Sequence, residues 1–273
     1  MCRTLHDIIP PVVIGHRGCR VNCPENTLAS FSAAMAAGAD MIELDVTLSK
    51  DRQVVVIHDD TLNRTTSGFG PVQQATLQEL RRLDAGSWFD SRFAGESLPT
   101  LEEVLILAGQ KILINIEIKS SAWESGFPED APKDAPKDAI ERQVVDLILK
   151  HGLLENTLVS SFHAGFLENI AKMPLHPETA FITDRKFPQN TLEMCQRLGV
   201  FSWHPHSMFL EQRHIEKAHA QGILIFPYTV NSVEDMLMLV KMGVDGVITD
   251  DPGAAISCMT ACRKTSACIP PRD

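Results

Sequence analysis

From Ile140 onward the chain alternates between short β-branched runs and amphipathic segments, and no other feature limits its fold as strongly. The pattern predicts a helix from Ile140 to about Lys150, a strand Thr157–Ser161, a helix Gly165–Lys172 and a strand Thr179–Ile182. It continues with a helix Gln189–Leu198, a strand Val200–Trp203, a helix Glu211–Gln221 and a strand Ile223–Tyr228. A helix capped by Ser232 and a strand Gly246–Thr249 close the series. Val12–Gly15, the run from Met41, Val54–Ile57 and the run 112–119 bring the strand candidates to nine. Repeated βα units favour a parallel sheet with helices outside it, and eight of them close a barrel. The ninth strand is accounted for if Val54–Ile57 returns antiparallel. An open doubly wound sheet is the alternative, but no Gly-rich phosphate loop opens any of the helices. The expected fold is thus an α/β TIM (β/α)8 barrel. It forms one domain over residues 1–273, with a small capping insertion, 61–98, after the strand that ends at His58.

The chemistry concentrates in the same strands. In MIELDV, Met41, Glu43 and Asp45 share one face while Ile42, Leu44 and Val46 share the other. A turn at Ser49–Arg52 folds a hairpin about residue 51, which sets Asp45 opposite Ile57 and beside His58. In LINIEIK, Leu113, Asn115, Glu117 and Lys119 again oppose a row of isoleucines. The first strand ends directly in His16 and Arg17, and Pro24–Thr27 then opens a helix that Gly38 would stop. Thr100 to Glu103 is a capping box for a helix to Ala108, ended by Gly109. If inward faces meet at the carboxyl end of a barrel, His16, Arg17, Glu43, Asp45, His58, Glu117 and Lys119 share one mouth. Three carboxylates without a thiol suit Mg²⁺ or Ca²⁺ and not Zn²⁺. Two imidazoles beside such an ion suit proton transfer at phosphoester oxygens, and Arg17 with Lys119 would supply fixed positive charge. The blander alternatives are an exposed acidic hairpin face and a same-face Glu117–Lys119 salt bridge on the strand. The other eight histidines read as surface residues, with His204 or His206 as candidates for the rim.

Composition narrows the partners. A net charge of −10 argues against nucleic-acid or anionic-membrane binding. Residues 1–11 lack the apolar core of a signal peptide, and no run approaches the about 20 apolar residues of a membrane span, so a cytoplasmic enzyme is expected. Seven cysteines, with Cys258, Cys262 and Cys268 at non-chelating spacings, read as reduced thiols. The tandem Asp130–Lys137 repeats proline every four residues and reads as a surface loop. Paired acids would also serve a glycosidase, but aromatics make up only 6% of the chain, with a single Tyr, which leaves few platforms for sugar rings.

The ordered motifs His16-Arg17-Gly18, Pro24-Glu25-Asn26-Thr27, Glu43-Leu44-Asp45, His58-Asp59, Arg64-Thr65-Thr66 and Asp84-Ala85-Gly86 continue through Asn115-Ile116-Glu117-Ile118-Lys119, Ser160-Ser161-Phe162, Tyr228-Thr229-Val230-Asn231 and Thr249-Asp250. In this pattern the chain resembles the glycerophosphodiester phosphodiesterase family, most closely its cytosolic bacterial members. The resemblance implies one divalent ion on Glu43, Asp45 and Glu117, with His16 and His58 as acid and base and Arg17 and Lys119 on the phosphate. It also implies hydrolysis of a small glycerophosphodiester, such as glycerophosphocholine, to glycerol 3-phosphate and an alcohol. Phe162 and Tyr228, at the ends of later strands, are expected to wall the glycerol. Lyase-type phospholipase D is similar in its histidines and acids, and a catalytically silent binding barrel is a third reading. The sequence leaves a homo-oligomer open and does not choose between Mg²⁺ and Ca²⁺.

Overall fold

A computed structural model describes residues 4–124, 139–184 and 190–265. The Asp130–Lys137 loop, Cys268 and the side chain of Cys262 lie outside the described residues. The strands are β1 Val12–Gly15, β2 Met41–Leu48, β3 Val54–Val56, β4 Leu113–Ile118 and β5 Thr157–Ser161. They are followed by β6 Glu178–Thr183, β7 Ser202–Pro205, β8 Leu224–Ile225 and β9 Gly246–Thr249. Eight of them run parallel in the order β8-β7-β6-β5-β4-β2-β1-β9, and β3 pairs antiparallel with β2 outside that path. The ends of the path approach each other, with the Asp245 and Ile248 amides donating to the Ile225 and Pro227 carbonyls, both at 3.0 Å. The result is the nearly closed TIM barrel expected from the βα rhythm.

Helices α1 Leu28–Ala36, α2 Leu77–Leu80, α3 Leu101–Ala108, α4 Ser121–Glu124 and α5 Ile140–Lys150 come first. Then follow α6 Ala164–Ala171, α7 Thr191–Leu198, α8 Gln212–His219, α9 Val233–Met242 and α10 Pro252–Thr265. Their starts follow local chemistry. The Thr27, Thr100 and Ser232 hydroxyls each accept an amide from the first turn, and Glu103 completes the box at Thr100.

Strand alternation sorts the side chains into an inner and an outer layer. Ile42, Leu44, Val46, Ile114, Ile116 and Ile118 point outward into a core shared with Phe31, Val104, Val144 and Phe166. Trp203, Ile215, Met236 and Val247 continue that layer around the other side. Met41, Leu113, Leu158, Ala180 and Phe226 point inward and plug the barrel. Each fully buried side chain of this size contributes about 2 kcal/mol. The acidic face of β2 is therefore the lumen and not a solvated edge, with Glu43 and Asp45 only 3% and 1% exposed.

Two strands, β7 and β8, differ from expectation by more than one residue at an end. β7 begins at Ser202 and not Val200, because Gly199 ends α7 in a left-handed conformation and Val200 donates back to the Cys195 carbonyl at 3.2 Å. β8 is short because Pro227 has no N–H, although Phe226 and Tyr228 still donate to Trp203 and Pro205 at 3.0 Å each. Residues 61–98 gather Leu62, Val72, Leu80, Ala85 and Leu98 into a small cluster on Val55 and Ile57. Cys19, Cys23 and Cys195 are free thiols. Among the described residues no helix is long and apolar enough to cross a membrane.

Candidate active site

The site is built where the inward faces of β1, β2 and β4 reach the carboxyl end of the barrel. The parallel register sets Asp45 beside Glu117 and Glu43 beside Asn115. One oxygen from each of Glu43, Asp45 and Glu117 can be chosen so that all lie within 4.8 Å of one another. Burial, reinforced by the charges of Asp45 and Glu117, pushes the Glu43 carboxyl well above its ordinary range. Burial also raises Glu117, against the pull of Lys119. Asp45 resists the same burial because Lys119 and Arg17 hold it well below the usual carboxylate range. Three all-oxygen donors, two of them buried and Glu117 half-buried, repel one another and fit a hard divalent cation, which would relieve the repulsion.

Arg17 and Lys119 are already engaged with these acids. Lys119 Nζ donates to Glu117 Oε1 at 2.9 Å and to Asp45 Oδ1 at 3.3 Å. Arg17 takes a positive φ of 54°, which lets its backbone N–H donate to Glu43 Oε2 at 2.8 Å while its guanidinium lies 3.3 Å from Asp45. Asn26, also left-handed at 57°, donates its amide to Asp45 Oδ2 at 2.9 Å.

Each histidine is backed by a carboxylate. His16 Nδ1 lies 2.7 Å from Asp250 Oδ1, and His58 Nδ1 lies 2.7 Å from Asp59 Oδ1. A carboxylate only accepts, so both rings donate from Nδ1 and keep Nε2 for other work. Burial lowers the His16 pKa despite the hydrogen bond to Asp250, which keeps the ring neutral. Asn231 donates to the far oxygen of Asp250 at 2.8 Å, and Arg64 clamps Asp59 through two bonds of 2.7 and 2.8 Å. Glu25 ties these groups together. It accepts from Arg17 at 2.7 Å and from Arg64 at 2.8 and 2.9 Å, and it lies 3.1 Å from Arg20.

Eight of the nine residues singled out in the sequence line one cavity of about 420 Å³, open mouth included, and the ninth, Asp45, sits just behind its wall. Phe162 and Tyr228 meet edge to face at 6.2 Å on one side of it. His204 is a correction: expected at the surface or rim, it is 1% exposed because the inward face of β7 carries it into the lumen. His206 instead packs its ring 5.6 Å from Tyr228. Sequence reasoning assigned no role to Glu25, Asn26, Asp59, Arg64, Asn115 and Asp250, although each stands in or beside a recognised motif. The signal for Asp59 was its adjacency to His58, and for Asn115 the alternation leading to Glu117. A larger surface groove between β3, α3 and α5 has no such acid cluster, and its Glu102 and Lys150 pair with each other at 2.6 Å.

A parallel barrel with an acidic cluster that could hold a cation, two carboxylate-backed imidazoles and a cationic wall at its carboxyl end has the features of barrel enzymes that act on anionic substrates. The profile of the glycerophosphoryl diester phosphodiesterase family matches residues 16–254, and the chain belongs to that family. It is 40% identical over 247 residues to a glycerophosphodiester phosphodiesterase of Caldanaerobacter subterraneus subsp. tengcongensis, covering 90% of this chain and 96% of that one. It is 36% identical to one of Bacillus altitudinis, with 89% and 96% covered. Among solved structures, a phosphodiesterase of Oleispira antarctica in complex with the product sn-glycerol-3-phosphate matches with a TM-score of 0.80 at 30% identity. That match covers 92% of this chain and 97% of the other.

Proposed function

We propose that this protein hydrolyses small glycerophosphodiesters to sn-glycerol 3-phosphate and a free alcohol, with one divalent cation held by Glu43, Asp45 and Glu117. The observation that carries the reading is the cluster of three carboxylates, two buried and Glu117 half-buried, whose oxygens lie within 4.8 Å at a cavity that both carboxylate-backed histidines line. The product named for the Oleispira antarctica relative supports the glycerol phosphate half. When bound, the ion would neutralise phosphate charge and polarise the phosphorus for attack.

The chain's own groups supply the rest. Arg17 and Lys119, fixed by their carboxylate partners, hold and orient the phosphate. His16 is the more buried imidazole, at 13% side-chain exposure against 32% for His58, and its neutral Nε2 takes the proton from the attacking oxygen. His58, nearer the mouth, gives a proton to the leaving alcohol oxygen as its bond to phosphorus breaks. Asp250 holds neutral His16 in the tautomer that leaves Nε2 free to accept, and Asp59, accepting from Nδ1, orients the doubly protonated His58 ring so that its Nε2–H is the proton given. The test is to incubate the protein with glycerophosphocholine and glycerophosphoethanolamine, with and without EDTA, and to assay glycerol 3-phosphate. Release that EDTA abolishes and added Mg²⁺ or Ca²⁺ restores is expected. Release unaffected by EDTA would remove the metal from the mechanism, and no release would overturn the reaction.

A further inference from the structure

The alternation that turns Glu117 and Lys119 into the lumen also turns Asn115 there, two residues earlier on β4. Each such step moves about 7 Å along a strand. Exposure changes with it: Asn115 is 0% exposed, whereas the Glu117 and Lys119 side chains are 12% and 15% exposed. Asn115, level with Glu43 on β2, therefore forms the floor of the cavity one step below Glu117 and Lys119. On β7, His204 lines the same cavity at 1% exposure.

Both floor residues have unused hydrogen-bonding capacity. Neither amide atom of Asn115 has a partner among the described residues, and the same is true of His204 Nδ1. The other imidazole nitrogen, Nε2, lies 3.0 Å from Ser202 Oγ. A buried polar atom left unpaired costs about 1–3 kcal/mol. An apolar pair of similar volume would pack the floor without that cost, as Ile182 and Ile248 do alongside. The anion-binding groups, Arg17 and Lys119, lie with the carboxylates, so the floor suits an uncharged polar part of the ligand.

We propose that Asn115 and His204 form a polyol-reading floor that hydrogen-bonds the hydroxyls of the substrate's glyceryl group. An alcohol hydroxyl both donates and accepts, which matches a carboxamide with both functions free and an imidazole with one ring nitrogen free. Burial holds His204 down at a pKa of about 3, so the ring stays neutral beside the cation site. The inference rests on the proposed reaction and names two residues that confer its preference for glycerol.

Two measurements test it. Kinetics of the wild type, Asn115→Leu and His204→Phe would be compared on a glyceryl diester and on the matched diester in which propyl replaces glyceryl. Each variant is expected to lose about tenfold or more in kcat/KM on the glyceryl substrate and little on the propyl one. Equal losses on both substrates would make the pair structural and overturn the proposal. ¹⁵N NMR of wild-type His204, independent of whether the variants fold, should show Nδ1 shifting with glycerol 3-phosphate and not with propyl phosphate. No shift, or the same shift with both, would overturn it. A wild type that hydrolyses neither diester would instead refute the proposed reaction, while the titration still decides the floor.

Discussion

Glu25 is the residue on which the site's positive charges converge, since it pairs with Arg17, Arg20 and Arg64 while nearly buried at 4% exposure. Burial alone would raise its pKa, but the Arg64 hydrogen bonds and the Arg17 charge outweigh it and bring the carboxyl from 4.5 down to about 2. A folded-state pKa below the unfolded one contributes stability that is fully present above about pH 4.5 and is lost as pH falls toward about 2. The shift corresponds to about 3 kcal/mol. Glu25→Gln should lower the urea-unfolding free energy at pH 7 by that order and flatten its acid dependence across this window; an unchanged pH profile would show that the arginines do not need the charge. At the histidines, Ala substitution of either His16 or His58 should abolish turnover of natural diesters. A nitrophenyl leaving group needs no acid and should partly rescue only His58→Ala. Equal rescue of both variants, or rescue of His16→Ala alone, would reverse or remove the assigned roles.

Among the elements, the turn from β1 into α1 bears most directly on catalysis. Ser30 on α1 donates its hydroxyl to the Arg17 carbonyl at 2.9 Å, and Gly18 passes close over the same helix with φ at 87°. A Cβ at Gly18 would sit 2.3 Å from Ser30 Oγ and 2.6 Å from the Ser30 backbone. Gly18→Ala must therefore shift Arg17 off Glu43, and a loss of activity well beyond its loss of stability is expected. Gly38 is the control, because it has the same φ of 87° and a Cβ there would meet nothing within 4 Å. Gly38→Ala should cost only the backbone strain, about 1 kcal/mol, with kcat unchanged. Comparable activity losses in both variants would mean that strain and not the Ser30 contact sets the turn. Much at this scale was readable from the chain. The hairpin register follows from the turn at residue 51, and the Ile57 amide does donate to the Asp45 carbonyl at 3.0 Å. The Thr100 capping box likewise starts α3 where its spacing places it. The end of β8 was not readable, because its continuation past Pro227 depends on carbonyls supplied by β7.

For the molecule as a whole, the proposed site on Glu43, Asp45 and Glu117 predicts a fold that responds to a cation. Mg²⁺ or Ca²⁺ should raise the melting temperature with concentration by mass action, and Glu117→Gln should suppress that response. An identical ion-dependent shift in the variant would place the ion elsewhere. The cavity wall also bears on substrate choice. None of its lining residues comes from 61–98, and Arg64, the cation of that segment nearest the site, is committed to Asp59 and Glu25. Among the described residues nothing in that wall is reserved for a headgroup, so choline, ethanolamine and glycerol diesters should be turned over within about tenfold, or ~1.4 kcal/mol in activation energy. A hundredfold preference among them in competition assays would show that a headgroup site exists. By itself the sequence determined the barrel, the inward direction of Glu43, Asp45, Glu117 and Lys119, and the convergence of His16 and His58, because alternation and βα order are properties of local chain geometry. Tertiary structure alone decided that Asp250 backs His16, that Glu25 gathers three arginines, and that His204 belongs to the lumen. Asp250 lies 234 residues from His16, and no local rule reports which distant side chain will fill a gap that only barrel closure creates.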